Sequence, residues 1–187
     1  MKGLAQYLPC LATIVTCNHN NQRNALAVAW HMSVNMNPAL YAISVAGARF
    51  SHELISKSRQ FAVNFVPLKS ARLVAATGGS SGKQTDKFKA FGLEFENGVK
   101  TQTPILSIAY AAFECVLEDE HTYTDHTIFV GRVVAIHQAI EAYSDEGIID
   151  INSVKPCLYM GKERYLNITE HELTHLGRKT TANEMLD

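Results

Sequence analysis

No apolar run in this chain approaches the roughly 20 residues that a bilayer-spanning helix needs, so its patterning asks for no membrane. Charge of one sign is missing as well. Seventeen Lys and Arg stand against 18 Asp and Glu, a net charge of −1, which excludes an overall attraction to nucleic acid or to anionic lipid. Cysteine is sparse. Cys10, Cys17, Cys115 and Cys157 are widely spaced and form no CxxC pair, which argues against a zinc knuckle or a disulfide framework and leaves small buried residues or incidental thiols. There is no GxGxxG, no βαβαβ alternation, no internal repeat and no linker, so a doubly wound dinucleotide-binding sheet is not expected. The first residues, MKGLAQYLPCLATIVTC, carry one Lys and a broken apolar stretch without a signal-peptide pattern. The expectation is one domain over residues 1–187, cytoplasmic, long enough to bury a full core.

What the chain does have is alternation. Leu11–Asn18, Gln60–Val66, Ile108–Asp119 and His126–His137 all repeat with period two, the strand signature. His19–Arg23 reads as a polar hairpin turn, and Asn35–Pro38 as a second turn. Between the turns runs the stretch that organises the rest. Leu26, Val28, Trp30 and Met32 point one way, with bulk enough for a core. Ala25, Ala27, Ala29 and His31 point the other, a small face that suits either a flat ligand or a second layer packed close. Ala39–Ala46 alternates Tyr41, Ile43 and Val45 against Leu40, Ala42, Ser44 and Ala46. Gly131, in the middle of the most β-like run, suggests a bulge or a close approach. Short helices are expected at about residues 51–58 and 69–77, and after a Thr85 cap, with Gly92 as the stop. Glu118–His121 reads as a polar loop, and residues from about 169 as a polar, peripheral tail. Alternating strands with short connections favour a closed antiparallel barrel.

One short stretch suggests chemistry by itself. Gly47-Ala48-Arg49-Phe50-Ser51-His52-Glu53 places Ser51 as an N-cap and Glu53 in the first turn of a helix. A helix N-terminus preceded by a glycine and a fixed guanidinium charge can cradle a phosphate.

Taken together in one order, NALAVAW with the NP turn after it, ISVAGARFSHELI, FAVNFVPL, SSGKQTDKF, FECVLEDE and DHTIFVGRVV resemble the flavin reductase-like, FMN-binding split-barrel family. Within it the likeness is closer to flavoredoxin-like proteins and NAD(P)H:flavin oxidoreductases. The resemblance covers about residues 11–168. It implies a mainly β fold, a six-stranded antiparallel Greek-key split barrel with a few short helices. It also implies a homodimer and one FMN per subunit. Asn24 and Trp30 then match residues lining the flavin, and His31, Met32 and Ser33 the strand end that meets its ring. Val45, Ala46, Arg49, Ser51 and His52 match the phosphate and ribityl segment. Lys87 matches a basic residue near the flavin, His126 a histidine at the ring face where nicotinamide would stack, and Tyr159 an aromatic residue against the flavin. The implied activity passes electrons from NADH or NADPH to flavin and on to a protein or small-molecule acceptor. Two alternatives stay open: an electron-transfer flavoprotein with tightly held FMN and no direct nicotinamide reaction, and a non-enzymatic flavin-binding module.

His171-Glu172-Leu173-Thr174-His175 spells HExxH. The zincin reading needs a longer helix and a third ligand downstream. Gly177 follows at once and Thr181 stands where a third histidine would. No catalytic zinc is expected there; a polar C-terminal helix is, with adventitious metal binding left open.

Overall fold

The computed structural model describes residues 7–166 and 168. The strands are β1 (Cys10–Leu11), β2 (Thr13–His19), β3 (Gln22–Val28), β4 (His31–Met36), β5 (Ala39–Ala46), β6 (Gln60–Phe65), β7 (Phe95–Asn97), β8 (Pro104–Leu106), β9 (Ala111–Thr122), β10 (His126–Gln138), β11 (Leu158–Tyr159) and β12 (Tyr165–Leu166). The helices are α1 (Phe50–Ser58), α2 (Ala71–Gly79) and α3 (Lys87–Phe91).

The main sheet runs β3-β2-β6-β9-β10-β5-β4, antiparallel throughout. Its first and last strands are consecutive in the chain, separated only by Ala29 and Trp30. β3 and β4 are therefore two halves of one kinked strand, and the seven segments make a closed barrel of six. The connection from β5 to β6 passes over one end, and α1 rides in it as a plug, with Leu54 and Ile55 buried in the barrel core. That crossover makes the topology a Greek key.

Alternation decides which residues go inside. Val15, Cys17, Leu26, Val28, Tyr41, Ile43, Val45, Phe61, Val63, Cys115 and Phe129 fill the interior. The opposite faces of β2 and β3 are also covered, because α2, α3 and the β7–β8 hairpin build a second cluster there around Ile14, Ala25, Val74, Phe88 and Leu106. The alanine row is the seat of that outer layer: a Cβ on Gly78 of α2 would stand 3.1 Å from Ala27 Cβ. The expected Trp30 and Met32 core positions do not hold. The kink at Ala29–Trp30 reverses the phase, so Trp30 and Met32 face outward, 41% and 61% exposed. His31 turns inward, where its ring meets Tyr41 and Phe65.

Local chemistry explains the boundaries. The β2–β3 turn places Asn20 and Asn21 at φ 48° and 63°, the pair of positive angles that a two-residue type I′ hairpin needs and that asparagine tolerates. Gly131 sits at a register shift between β10 and β9. A Cβ there would lie 2.7 Å from both Cys115 Cβ and Phe61 Cζ, so both features expected of it are present. Three expectations are corrected. Glu118–His121 belongs to β9, because β10 pairs with it as far as Thr122. Asp86, not Thr85, caps α3, accepting from the N–H groups of Phe88 and Lys89, while Gly92 stops it at φ 62°. Ser51 lies within α1 and Arg49 is its N-cap residue.

Glu114 holds the loop between β7 and β8 onto the barrel. Its carboxylate is buried. It accepts from the backbone N–H groups of Val99 (2.8 Å), Lys100 (3.0 Å) and Thr101 (2.7 Å), from Thr101 Oγ1 (2.8 Å) and from His137 Nε2 (2.7 Å). Burial alone would raise its pKa, but these donors prevail and hold it at about 2, against an ordinary 4.5. A carboxyl depressed on folding contributes stability in full above its unfolded pKa and loses it as pH falls toward the folded one. The wild type should therefore lose stability steadily between pH 4.5 and about 2. Glu114→Gln, which turns one acceptor into a donor facing N–H groups, should lose about 2–3 kcal/mol at neutral pH and show a shallower acid slope in denaturant titrations across that range.

Candidate functional site

A cavity of about 720 Å³ opens beside the kink. Its wall is the end of β3 from Leu26 to Val28, the kink residues Ala29 and Trp30, the end of β5 from Ser44 to Ala46, Arg49, the C-terminal half of α2, and His126 at the start of β10. The β11–β12 hairpin overhangs it with Tyr159, Glu163 and Tyr165. β11 is anchored by pairing with β1, Cys10 opposite Tyr159. Small residues (Ala27, Ala29, Gly78, Gly79) let backbone form much of the surface.

Trp30 owes its place to the kink. Its carbonyl accepts from Ser44 N–H (2.9 Å), which ties the bend to β5. The indole ring lies 5.0 Å from the His126 ring, inclined by 40°. His126 Nδ1 is 3.0 Å from Asp125 Oδ1. That bond holds the Asp125 carboxyl below its usual range and directs the proton of a neutral His126 to Nδ1, with the lone pair on Nε2.

The other side of the site carries positive charge. Arg49 Nη1 donates to Gly78 O (3.0 Å). Lys87, buried beneath α2, donates to Thr77 O (2.6 Å) and to Ala25 O (2.8 Å). Both cations thus grip consecutive carbonyls at the negative end of the α2 dipole. Burial, and then the charge of Arg49, bring the Lys87 pKa down to about 8. Among the described residues neither cation is paired with a carboxylate; nearby Glu53 is taken by Lys57 and Lys83. Asn24 Nδ2 donates to Ser51 Oγ (2.9 Å), a buried bond between β3 and α1. Its Oδ1 is the one buried side-chain oxygen without a partner among the described residues. It lies against Gly82, where a Cβ would collide with it.

Of the residues singled out in the sequence, Trp30, Val45, Ala46, Arg49, His126 and Tyr159 line the cavity. Asn24, Ser51 and Lys87 lie behind that wall. His52 does not line the cavity either; its Nε2 lies 2.8 Å from Thr127 Oγ1. His31 is enclosed, accepting from Tyr41 O–H at Nδ1 (2.6 Å) and donating from Nε2 to Leu11 O (2.8 Å); burial lowers its pKa. Met32 and Ser33 lie on exposed β4. The α2 turn Gly78–Gly79 and the hairpin pair Glu163 and Tyr165 were not anticipated. The first was visible only as a glycine-rich break, and the second belongs to a hairpin whose place over the site no local pattern encodes. The HExxH segment lies outside the described residues, and among those that are described no cluster of His, Cys, Asp and Glu could hold a metal.

Residues 6–168 match the family described as flavin reductase-like domain. The chain belongs to that family. Among solved structures it is similar to an FMN-binding protein from Thermus thermophilus, with a TM-score of 0.85 and 31% identity over 94% of this chain and 95% of that one. Flavoredoxin from Methanosarcina acetivorans shares the fold, with a TM-score of 0.83, 23% identity, and coverage of 93% and 92%. The NADH-dependent FMN reductase AsuE2 of Streptomyces nodosus subsp. asukaensis is 29% identical over 140 residues, 73% of each chain.

Proposed function

We propose that this flavin reductase-like protein binds FMN in the cavity and uses it to pass electrons from a nicotinamide dinucleotide to an acceptor. The observation that carries this reading is a pair of cations without a carboxylate partner among the described residues, Arg49 on the wall of a cavity lined by an exposed indole and Lys87 buried behind it. Uncompensated positive charge favours a phosphate. Ser44 and the alanine and glycine backbone of the wall supply polar groups within reach of a hydroxylated chain. FMN, a phosphate on a hydroxylated chain ending in a flat ring, fits that donor set, and when bound it supplies the electron chemistry.

The chain's own residues then have these roles. Arg49 would hold the phosphate. Lys87 adds positive field from behind the wall and keeps α2 against β3. Trp30 gives a flat apolar face, and the alanine and glycine surface lets a ring approach the backbone closely. His126 is positioned to bind a nicotinamide amide or the ring edge, with its orientation fixed by Asp125. The hairpin residues Tyr159 and Tyr165 would exclude water from above. A volume of about 720 Å³, in the upper part of the range for small-molecule sites, leaves space for a second planar molecule. The relative from Thermus thermophilus has been solved with 1-cyclohex-2-enone and with p-hydroxybenzaldehyde bound, which supports a small conjugated carbonyl compound as one acceptor class.

A homodimer is part of the proposal. Although the barrel closes through the kink, β4 itself pairs on one side only, with β5, and leaves Met32, Val34 and Met36 exposed, Met36 at 94%; such an open side calls for cover. The cytoplasm suits four unpaired thiols, which would be kept reduced there. Light scattering should give about twice the 20.7 kDa chain mass, and a monomer at micromolar concentration would remove the dimer. For the activity, the test is anaerobic addition of NADH and of NADPH to the FMN-loaded protein. Bleaching of the flavin absorbance with either donor is the expected result. A bound flavin that neither donor bleaches would favour the electron-transfer alternative.

A further inference from the structure

The β11–β12 hairpin has a feature that its pairing does not require. Arg164 N–H donates to Gly161 O (3.1 Å), closing a turn around Lys162 and Glu163, and Met160 N–H donates to Arg164 O (2.9 Å), closing the three-residue loop 161–163. Lys162 and Glu163 have φ of 48° and 58°, following Gly161 at 80°. The β2–β3 hairpin, with the same pair of positive angles, uses asparagine at both positions. Asparagine and glycine take this backbone readily; lysine and glutamate do not. Strain of this kind is concentrated at functional sites. The turn also divides its charges. Glu163 lines the main cavity, whereas Lys162 and Arg164 line an adjoining hollow of about 490 Å³, and Tyr165 is common to both.

We infer that this hairpin tip binds the phosphates of the electron donor and that Lys162 and Arg164 select a 2′-phosphorylated dinucleotide, NADPH over NADH. The inference rests on the donor reading above. A nicotinamide stacked in the main cavity leaves the pyrophosphate and adenosine of the same molecule to pass out of it. The hairpin, which overhangs that cavity, places two exposed cations in the adjoining space. A guanidinium and an ammonium lining one hollow can match a phosphate dianion by fork and by point charge. Glu163, turned to the other side, keeps its carboxylate out of the hollow lined by the two cations.

Two measurements test it. The first is calorimetric binding of adenosine 2′,5′-bisphosphate against adenosine 5′-monophosphate, which needs no turnover. The wild type should prefer the bisphosphate by about tenfold or more, the scale of one charge-assisted hydrogen bond. The double variant Lys162→Asn with Arg164→Gln should bring the two within about threefold; asparagine suits the backbone at 162, so the turn is retained. The second is kcat/KM for NADPH over NADH with FMN present, where the same preference should appear and collapse in the variant. Equal binding of the two adenosine nucleotides by the wild type, or a preference that survives in the variant, would overturn the proposal even if both donors are oxidised. Oxidation of neither donor would overturn the donor reading, and the inference with it.

Discussion

The site depends on the break between β3 and β4. Two residues, Ala29 and Trp30, interrupt a strand that otherwise circles into a closed barrel. The bond from Ser44 N–H to Trp30 O fixes the bend. Because side chains alternate along a strand, the interruption exchanges inside for outside. Before it, Leu26 and Val28 are core; after it, the partly buried His31 turns inward against Tyr41 and Phe65, and the sole tryptophan is delivered to the surface next to His126. Barrel closure and presentation of a flat apolar ring are thus consequences of one local irregularity.

The second constraint is electrostatic. The C-terminal end of α2 gathers partial negative charge, and two cations satisfy its carbonyls from different sides, Lys87 from within and Arg49 from the rim. Lys87 is driven toward neutrality by burial and by Arg49, so the pair is held together at some cost. An anion bound at Arg49 would relieve that repulsion. The arrangement therefore couples the outer layer, α2 on β3, to whatever charge occupies the cavity: the same two side chains position the wall and set the local potential.

The barrel strands were legible because period two survives in β2, β3, β5, β6, β9 and β10, and turn residues such as Asn20, Asn21 and Gly92 follow from backbone geometry. The phase reversal was not legible. Nothing in ALAVAWHM distinguishes a continuous strand from a kinked one, so periodicity alone put Trp30 in the core and only the family resemblance put it at the site. Ser51 looked like a cap because it is a good one in isolation; tertiary contact with Asn24 drew it into the helix instead. Val45, Ala46, Arg49 and His126, which line the cavity, were reached through the family resemblance, whose motifs lie on or beside strong strands. Glu163 and Tyr165 were not, because the short β11–β12 hairpin takes its place from pairing with β1, some 150 residues earlier in the chain.

The most direct measurement of the central claim, that the cavity holds FMN by its phosphate at Arg49, is a paired titration with FMN and with riboflavin, which lacks the phosphate, following the fluorescence of Trp30. Wild-type protein should bind FMN more tightly. Arg49→Ala should weaken FMN binding by about 1–3 kcal/mol while leaving riboflavin affinity nearly unchanged. Equal affinity for the two flavins in the wild type, or an Arg49→Ala variant that binds FMN as well as the wild type does, would contradict the account.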